Sequence, residues 1–466
     1  MMPSWPAFVI LAPWAAAIAL AVLPWRDWHA WVNFGAASLG FLLACRLPFV
    51  AGEPGFWLRA DPLAIHLVLL TSFVGLTAAW FSRFTLPPGL SDRLARQYHA
   101  LFQFLLGSLS LALLSDNAAL TWVALEAATL ALVLATALTG EVDALRASWR
   151  VLLLAGAGIA LASFGTLLLY LAAVPALGPG WAALRWSVLL PAAAQCDGSA
   201  LSLAFIFLLL GYGTIAALVP LHAWLIEAQS RGMVALTGVL SGSLPGVGLF
   251  VILRLRGLLN DNAHALSPGG PIMALGLASL LVGGFALWRQ QGLTRFLAVS
   301  TIGQSGLVAF SFGLGGAAAT FAGLLHLTVH TLVKAASFQT VTGHGEPAGL
   351  LATHRAAGLT LVVAMAALAG MPPFGLFTSL VLVVEQTVQR LPLLAVPVGI
   401  GLVASSWALL VRLPSYCFGS AGSDQPPIPL AGLAGAWASL AMALVLGLAM
   451  PAGIAAWLQG IAAVAR

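Results

Sequence analysis

Apolar runs of membrane-spanning length recur along this whole chain, separated by short polar breaks. A helix needs about 20 apolar residues to cross the hydrocarbon of a bilayer. Within lipid the backbone must satisfy its own hydrogen bonds, which a helix does within a single segment. The runs fall near 6–24, 30–49, 62–82, 99–115, 117–139, 150–174, 201–226, 233–256, 271–288, 294–314, 317–342, 357–388, 393–413 and 430–457, about fourteen spans. Hydrophobic residues make up 61% of the 466 positions and charged ones 7%, with a mean hydropathy of +1.01. That is more apolar surface than a soluble protein can bury. The expected fold is an all-α polytopic membrane protein, with residues 1–466 forming one membrane domain. The first span lacks a basic leader and a clear cleavage site, so it reads as retained. The polar connections are too short for a soluble domain. Redox cofactors or nucleotide chemistry are therefore expected on partner subunits, and no cofactor or metal on this chain.

The net charge of +5 does not indicate a nucleic-acid binder, because the basic residues follow topology. With the N-terminus outside, eleven arginines fall in inner connections, Arg26, Arg83 and Arg150 among them, and seven in outer ones, including Arg254, Arg256, Arg390 and Arg466. This asymmetry favours both termini outside. Cys45, Cys196 and Cys417 are far apart and have no metal-ligand spacing. The glycine-rich GLGG at 313–316 lacks phosphate-loop spacing and reads as a helix junction.

The only lysine, Lys334, lies inside the eleventh span, with His330 and His326 four and eight residues before it. Four residues is close to one helical turn, so the three groups share a face at intervals of about 6 Å. An ammonium costs several kcal/mol in the bilayer, so groups like these usually face a cavity or pathway. The alternative for Lys334 is snorkelling to the interface from the last third of its helix. His326 and His330 have the spacing of a metal-binding pair, but no carboxylate or third histidine is nearby in sequence. His66, alone in the third span, reads as a packed polar residue.

Two spans read as breaking at proline in comparable ways: the seventh at Pro220, the twelfth at Pro372 and Pro373. Each proline lacks an N–H and clashes with the carbonyl four residues back, which frees the carbonyls of Ala216, Leu368 and Ala369. Freed carbonyls are tolerated in lipid only where protein or water satisfies them. A broken helix in each half points to inverted repeats with sites at the breaks. The expected division is 1–98 for helices 1–3, 99–256 for the first repeat, 271–413 for the second and 430–457 for a last helix.

Six ordered segments give these features a context: WVALEAATL (122–130), SWRVLLLAGAGIALASFGTLLLY (148–170), GYGTIAALVPLHAWL (211–225), GLTRFLAVSTIGQSGLVAF (292–310), GLLHLTVHTLVKAASF (323–338) and GMPPFGLF (370–377). They resemble the antiporter-like membrane subunits of respiratory complex I, and most closely the equivalent subunit of group 4, formate-hydrogenlyase-type hydrogenases. Mrp-type antiporters and a bicarbonate-uptake membrane subunit belong to the same superfamily. The resemblance implies fourteen helices, two inverted repeats, broken helices 7 and 12, and a polar axis carrying protons. It implies path roles for Glu126, Arg150 (in place of a lysine), His222, and the pair His330 and Lys334. Three positions depart from the pattern: Ile215 and Leu380 replace ionisable residues, and Gly303–Gln304 replaces a Glu-His pair.

On this reading the chain is a proton-translocating subunit of a multisubunit respiratory or hydrogenase-type complex in a bacterial-type inner membrane. Its partners are other membrane subunits and soluble redox subunits. Protons would reach Glu126 and the Arg150 region and cross by water to His222, His326, His330 and Lys334. The rival readings are a cation/proton antiporter, an inorganic-carbon-uptake subunit, and a non-pumping scaffold favoured by Ile215 and Leu380. Glu126 has a rival role as a hydrogen-bonding group between helices, and His222 as a cap for freed carbonyls.

Overall fold

The structure is a computed structural model that describes residues 4–24, 28–50, 57–86, 90–341, 349–418 and 428–464. Arg26 and Arg466, both used in the charge asymmetry, lie outside the described residues. The first half contains α1 (Trp5–Val22), α2 (His29–Val50), α3 (Pro62–Thr85), α4 (Asp92–Leu114), α5 (Ala118–Ala137) and α6 (Val142–Leu177). It continues with α7 (Gly198–Ile215), α8 (Ala223–Arg231) and α9 (Val234–Asn260). The second half contains α10 (Gly269–Ala286), α11 (Leu293–Leu314), α12 (Gly316–Phe338), α13 (Arg355–Leu368), α14 (Gly375–Arg390) and α15 (Ala395–Cys417). Last come α16 (Ala434–Leu448) and α17 (Ala452–Val464). Among the described residues, 13 helices are long and apolar enough to cross a membrane. The shorter α13 and α14 are the two halves of the broken twelfth span and add one more crossing, which agrees with the count of about fourteen.

Local sequence sets the helix ends. Asp61, Asn117 and Asp197 accept hydrogen bonds from first-turn amides of α3, α5 and α7, which supplies donors' partners that helix geometry leaves free. Two boundaries differ from expectation. The span predicted at 430–457 is interrupted between α16 and α17, because Pro451 cannot donate and instead opens α17 by accepting at its carbonyl from Ile454 and Ala455. Helix α6 starts earlier than expected and runs 36 residues, about 54 Å at the helical rise. It therefore overshoots the roughly 30 Å hydrocarbon layer, and its polar first turns, with Asp143 and Arg146, lie exposed.

The layering follows from which helices carry polar groups. An 18-residue stretch of α9 and another of α11 are entirely buried, whereas most of α1 and α2 faces outward with residues such as Ile18 and Leu42. Helix α12 is enclosed by α3, α9, α11, α13, α14, α16 and α17. Small residues allow the tight packing: a Cβ on Gly306 of α11 would lie 2.6 Å from the carbonyl oxygen of Gly276 on α10. Close backbone approach of this kind drives helix association where lipid removes the hydrophobic term.

Both broken helices end in the same way. At the end of α7, Leu218 N–H donates to Gly213 and Ala217 N–H to Thr214, with Ala217 at φ 58°. At the end of α13, Met371 N–H donates to Ala366 and Gly370 N–H to Ala367, with Gly370 at φ 74°. This is the Schellman arrangement, with a left-handed residue closing the helix. A cis peptide bond precedes Pro220 in the first break and Pro373 in the second. The first helix thus stops before reaching the carbonyl that Pro220 alone would free. The Thr214 carbonyl, which accepts from Ala217 N–H, also accepts from the Trp224 indole at 2.6 Å.

Candidate functional site

Lys334 is fully buried in the last third of α12, so its side chain does not snorkel to the interface. Its Nζ donates to the Leu297 carbonyl and, at 2.9 Å, to Ser300 Oγ, both on α11. The ammonium also lies 5.2 Å from the centroid of the Phe338 ring. Among the described residues no carboxylate forms a salt bridge with it. Dipoles and a ring face hold this cation, an arrangement that can lose its charge without stranding an anion.

One turn back, His330 is buried and neither ring nitrogen has a hydrogen-bond partner. Its ring stacks on that of His326 at a centroid distance of 6.1 Å and 9° between planes. His326 is fully engaged: Nε2 lies 2.7 Å from Gln304 Oε1 on α11, and Nδ1 lies 2.9 Å from Ser379 Oγ on α14. Gln304 can only accept through Oε1, so Nε2 carries a hydrogen and donates. Ser379 can play either part. With its hydroxyl directed at the Leu376 carbonyl, 2.7 Å away, its oxygen accepts from a protonated Nδ1. With the hydroxyl turned to Nδ1, the neutral ring is satisfied instead. A single hydroxyl rotation therefore accommodates gain or loss of a proton at His326.

His66 of α3 reaches a hydroxyl on another face of α12. Its Nε2 donates at 2.8 Å to Thr328 Oγ1, whose own hydroxyl donates to the Leu324 carbonyl. The structure thus brings together Lys334 and His326 with Ser300, Gln304 and Ser379, with His330 between them, while Thr328 and His66 pair on another face of α12. Ser379 and Glu227 were missed from sequence. Ser379 sits one turn beyond the second break, and Glu227 is the sole acidic residue of α8.

The first-half residues are not gathered so closely. Glu126, on α5, is half-buried, and its buried Oε2 has no hydrogen-bond partner. Arg150 pairs with Glu227 of α8 at 3.1 Å rather than with Glu126, and its side chain is 62% exposed. His222 immediately precedes α8, between the proline of the first break and Glu227. Ile215 is buried as the last residue of α7. Leu380 packs in an apolar cluster with Leu280, Leu307, Phe310 and Val383. Among the described residues, no group of three or more His, Cys, Asp or Glu side chains is placed to hold a metal ion.

Comparison with known proteins matches residues 115–405 to the transmembrane family described as NADH:quinone oxidoreductase/Mrp antiporter. The chain is 39% identical over 442 residues to a hydrogenase-4 component F homolog of Methylacidiphilum infernorum, covering 91% of this chain and 92% of that protein. It is 28% identical over 314 residues to NADH-quinone oxidoreductase subunit N of Desulforudis audaxviator, covering 65% and 60%. A chain of the membrane-bound sulfane sulfur reductase, an archaeal respiratory membrane complex, superposes with a TM-score of 0.85 at 21% identity, covering 99% of this chain and 98% of that one. A chain of the Mrp complex from a Dietzia species superposes with a TM-score of 0.82 at 19% identity, covering 99% and 96%. At those identities the two superpositions speak for the fold alone.

Proposed function

The chain belongs to the NADH:quinone oxidoreductase/Mrp antiporter transmembrane family, and from that premise we propose that it is the proton-translocating membrane subunit of a multisubunit hydrogenase-type or respiratory complex. The observation that carries this reading is Lys334, a buried cation held by a backbone carbonyl, a hydroxyl and a ring, with two histidines on the turns before it. Its immediate partners are neutral, so a change in charge on a neighbouring subunit or helix acts on it without cancellation by a local counter-ion. In low dielectric, such a field shifts the balance between ammonium and amine strongly. When Lys334 releases its proton, His330 is the adjacent acceptor, with no competing hydrogen bond to break. His326 follows, able to be satisfied in either protonation state by rotation of the Ser379 hydroxyl.

In the first half, Arg150 and Glu227 would sit at an entrance, with Glu126 and His222 further along. The matching helix ends at Ala217 and Gly370 support reading residues 99–256 and 271–413 as repeats. The arginine distribution supports both termini outside a bacterial-type inner membrane. The test is proton pumping by inverted membrane vesicles that carry the assembled complex with Lys334→Met. The expected result is substrate turnover without a pH gradient, and pumping at the wild-type ratio would overturn the proposal. A second reading, a non-pumping scaffold, draws on buried Ile215 and apolar Leu380. Intact coupling in the Glu126→Gln, Lys334→Met double variant would favour it.

A further inference from the structure

The turn joining α11 to α12 carries a concentration of positive charge that the proton ladder does not use. Gly315 and Gly316 both have positive φ, 81° and 75°. A Cβ on Gly315 would lie 2.8 Å from Arg256 Nη2 of α9, and one on Gly316 would lie 2.9 Å from Arg390 Nη1 of α14. The two guanidinium groups therefore converge on adjacent backbone positions, close enough for their charges to oppose each other.

No carboxylate among the described residues is paired with either group. Arg256 is only 5% exposed, and among the described residues it makes a long hydrogen bond, 3.4 Å, to Thr320 Oγ1 near the start of α12. Two residues earlier, Arg254 has Asp61 at 2.5 Å. Among the described residues neither Arg256 nor Arg390 has an ion pair. The N-terminus of α12 ends at the same place, and its N-cap position, Gly315, offers no capping side chain. Free first-turn amides and the helix dipole favour an anion there. Among the described residues the other buried arginine, Arg254, follows the usual rule that such charges are paired, and Arg256 does not.

We propose that Arg256, Arg390 and the first turn of α12 form a binding site for a phosphate group, supplied by a phospholipid headgroup or by free phosphate. Planar guanidinium forks suit the bidentate recognition of phosphate oxygens, and the absence of Cβ atoms at Gly315 and Gly316 makes room for both forks beside the turn. Helices α9, α11 and α14 all end beside this turn, where a membrane presents its headgroups. The bound group would tie α9 and α14 to the start of the helix that carries Lys334.

The test uses the tagged full-length chain with its co-purifying partners, stripped of lipid in detergent. Its thermal unfolding midpoint is followed while phosphatidylglycerol, phosphate-free digalactosyl diacylglycerol, or sodium phosphate matched to chloride in ionic strength is titrated in. Saturable stabilisation by phosphatidylglycerol and not by the galactolipid assigns the headgroup, and the same effect from sodium phosphate assigns free phosphate. Losing each charge-assisted fork should weaken binding about tenfold, so R256Q/R390Q needs about a hundredfold higher concentration. R390Q alone, at an exposed position, gives the tenfold shift should the double variant fail to assemble. The inference is overturned when neither phosphate source stabilises the wild type, or when R390Q and R256Q/R390Q respond at wild-type concentrations.

Discussion

Replacing Lys334 with methionine should abolish proton transport while leaving stability near the wild-type value, and the local hydrogen bonding explains why. The ammonium gains two charge-assisted hydrogen bonds, from Leu297 and Ser300, of about 1.5–3 kcal/mol each. The Phe338 face adds up to about 2 kcal/mol. Against these stands a desolvation penalty of several kcal/mol for the buried ion. The sum is close to zero. Methionine is similar in volume and leaves no polar group stranded, because Ser300 still donates to the Leu297 carbonyl at 2.8 Å. The expected change is therefore within about 2 kcal/mol in either direction, as when buried ions are replaced by apolar side chains of similar size. Lys334→Ala opens a cavity as well and should cost about 2–5 kcal/mol. Thermal unfolding of the purified complex and proton uptake by inverted vesicles would be measured on the same preparations. A Lys334→Met complex that unfolds as early as Lys334→Ala would show Lys334 to be a structural tie, and one that still pumps would refute the carrier role.

Further outcomes follow from other contacts. Gln304→Leu removes the acceptor for His326 Nε2 and should cost about 1–3 kcal/mol, read as an earlier melt together with slower proton uptake; unchanged uptake would separate His326 from the path. Trp224→Phe removes the indole hydrogen bond to the Thr214 carbonyl, which keeps the Ala217 N–H, so the loss should be about 0.5–1.5 kcal/mol, that of one ordinary hydrogen bond; an unaltered melt would mean that the indole bond adds nothing to the break. Ala217→Gly relieves a left-handed alanine and should stabilise by about 1 kcal/mol, whereas Gly370→Ala in the matching position should destabilise by about 1–2 kcal/mol; shifts of the same sign in both would contradict the shared geometry. Arg150→Gln removes an exposed ion pair and should change stability by less than about 1 kcal/mol, so any large transport defect there would report on proton entry rather than folding.

Much of the fold was legible because a bilayer leaves a chain few options. Apolar runs of spanning length had to become helices, and the prolines at 220, 372 and 373 mark the interruption of two of them, although Pro13 and Pro245 sit inside continuous helices. The interruption between α16 and α17 was visible in Pro451 but was overridden by the continuous apolar composition around it. The early start of α6 was hidden because its first turns are polar and hydropathy marks only the part inside lipid. At the site, the four-residue spacing of His326, His330 and Lys334 was sufficient to put them on one face.

The sequence by itself therefore determined the helices, the two breaks and the alignment of one lysine with two histidines, since each depends on residues near one another along the chain. Only the tertiary structure decided what those groups meet. It brought Leu297 and Ser300 of α11 to Lys334, Gln304 and Ser379 to His326, and Glu227 rather than Glu126 to Arg150. These partners lie on other helices, and their meeting depends on how close small residues such as Gly276 and Gly306 let the backbones come. Periodicity along a single helix carries no record of that distance.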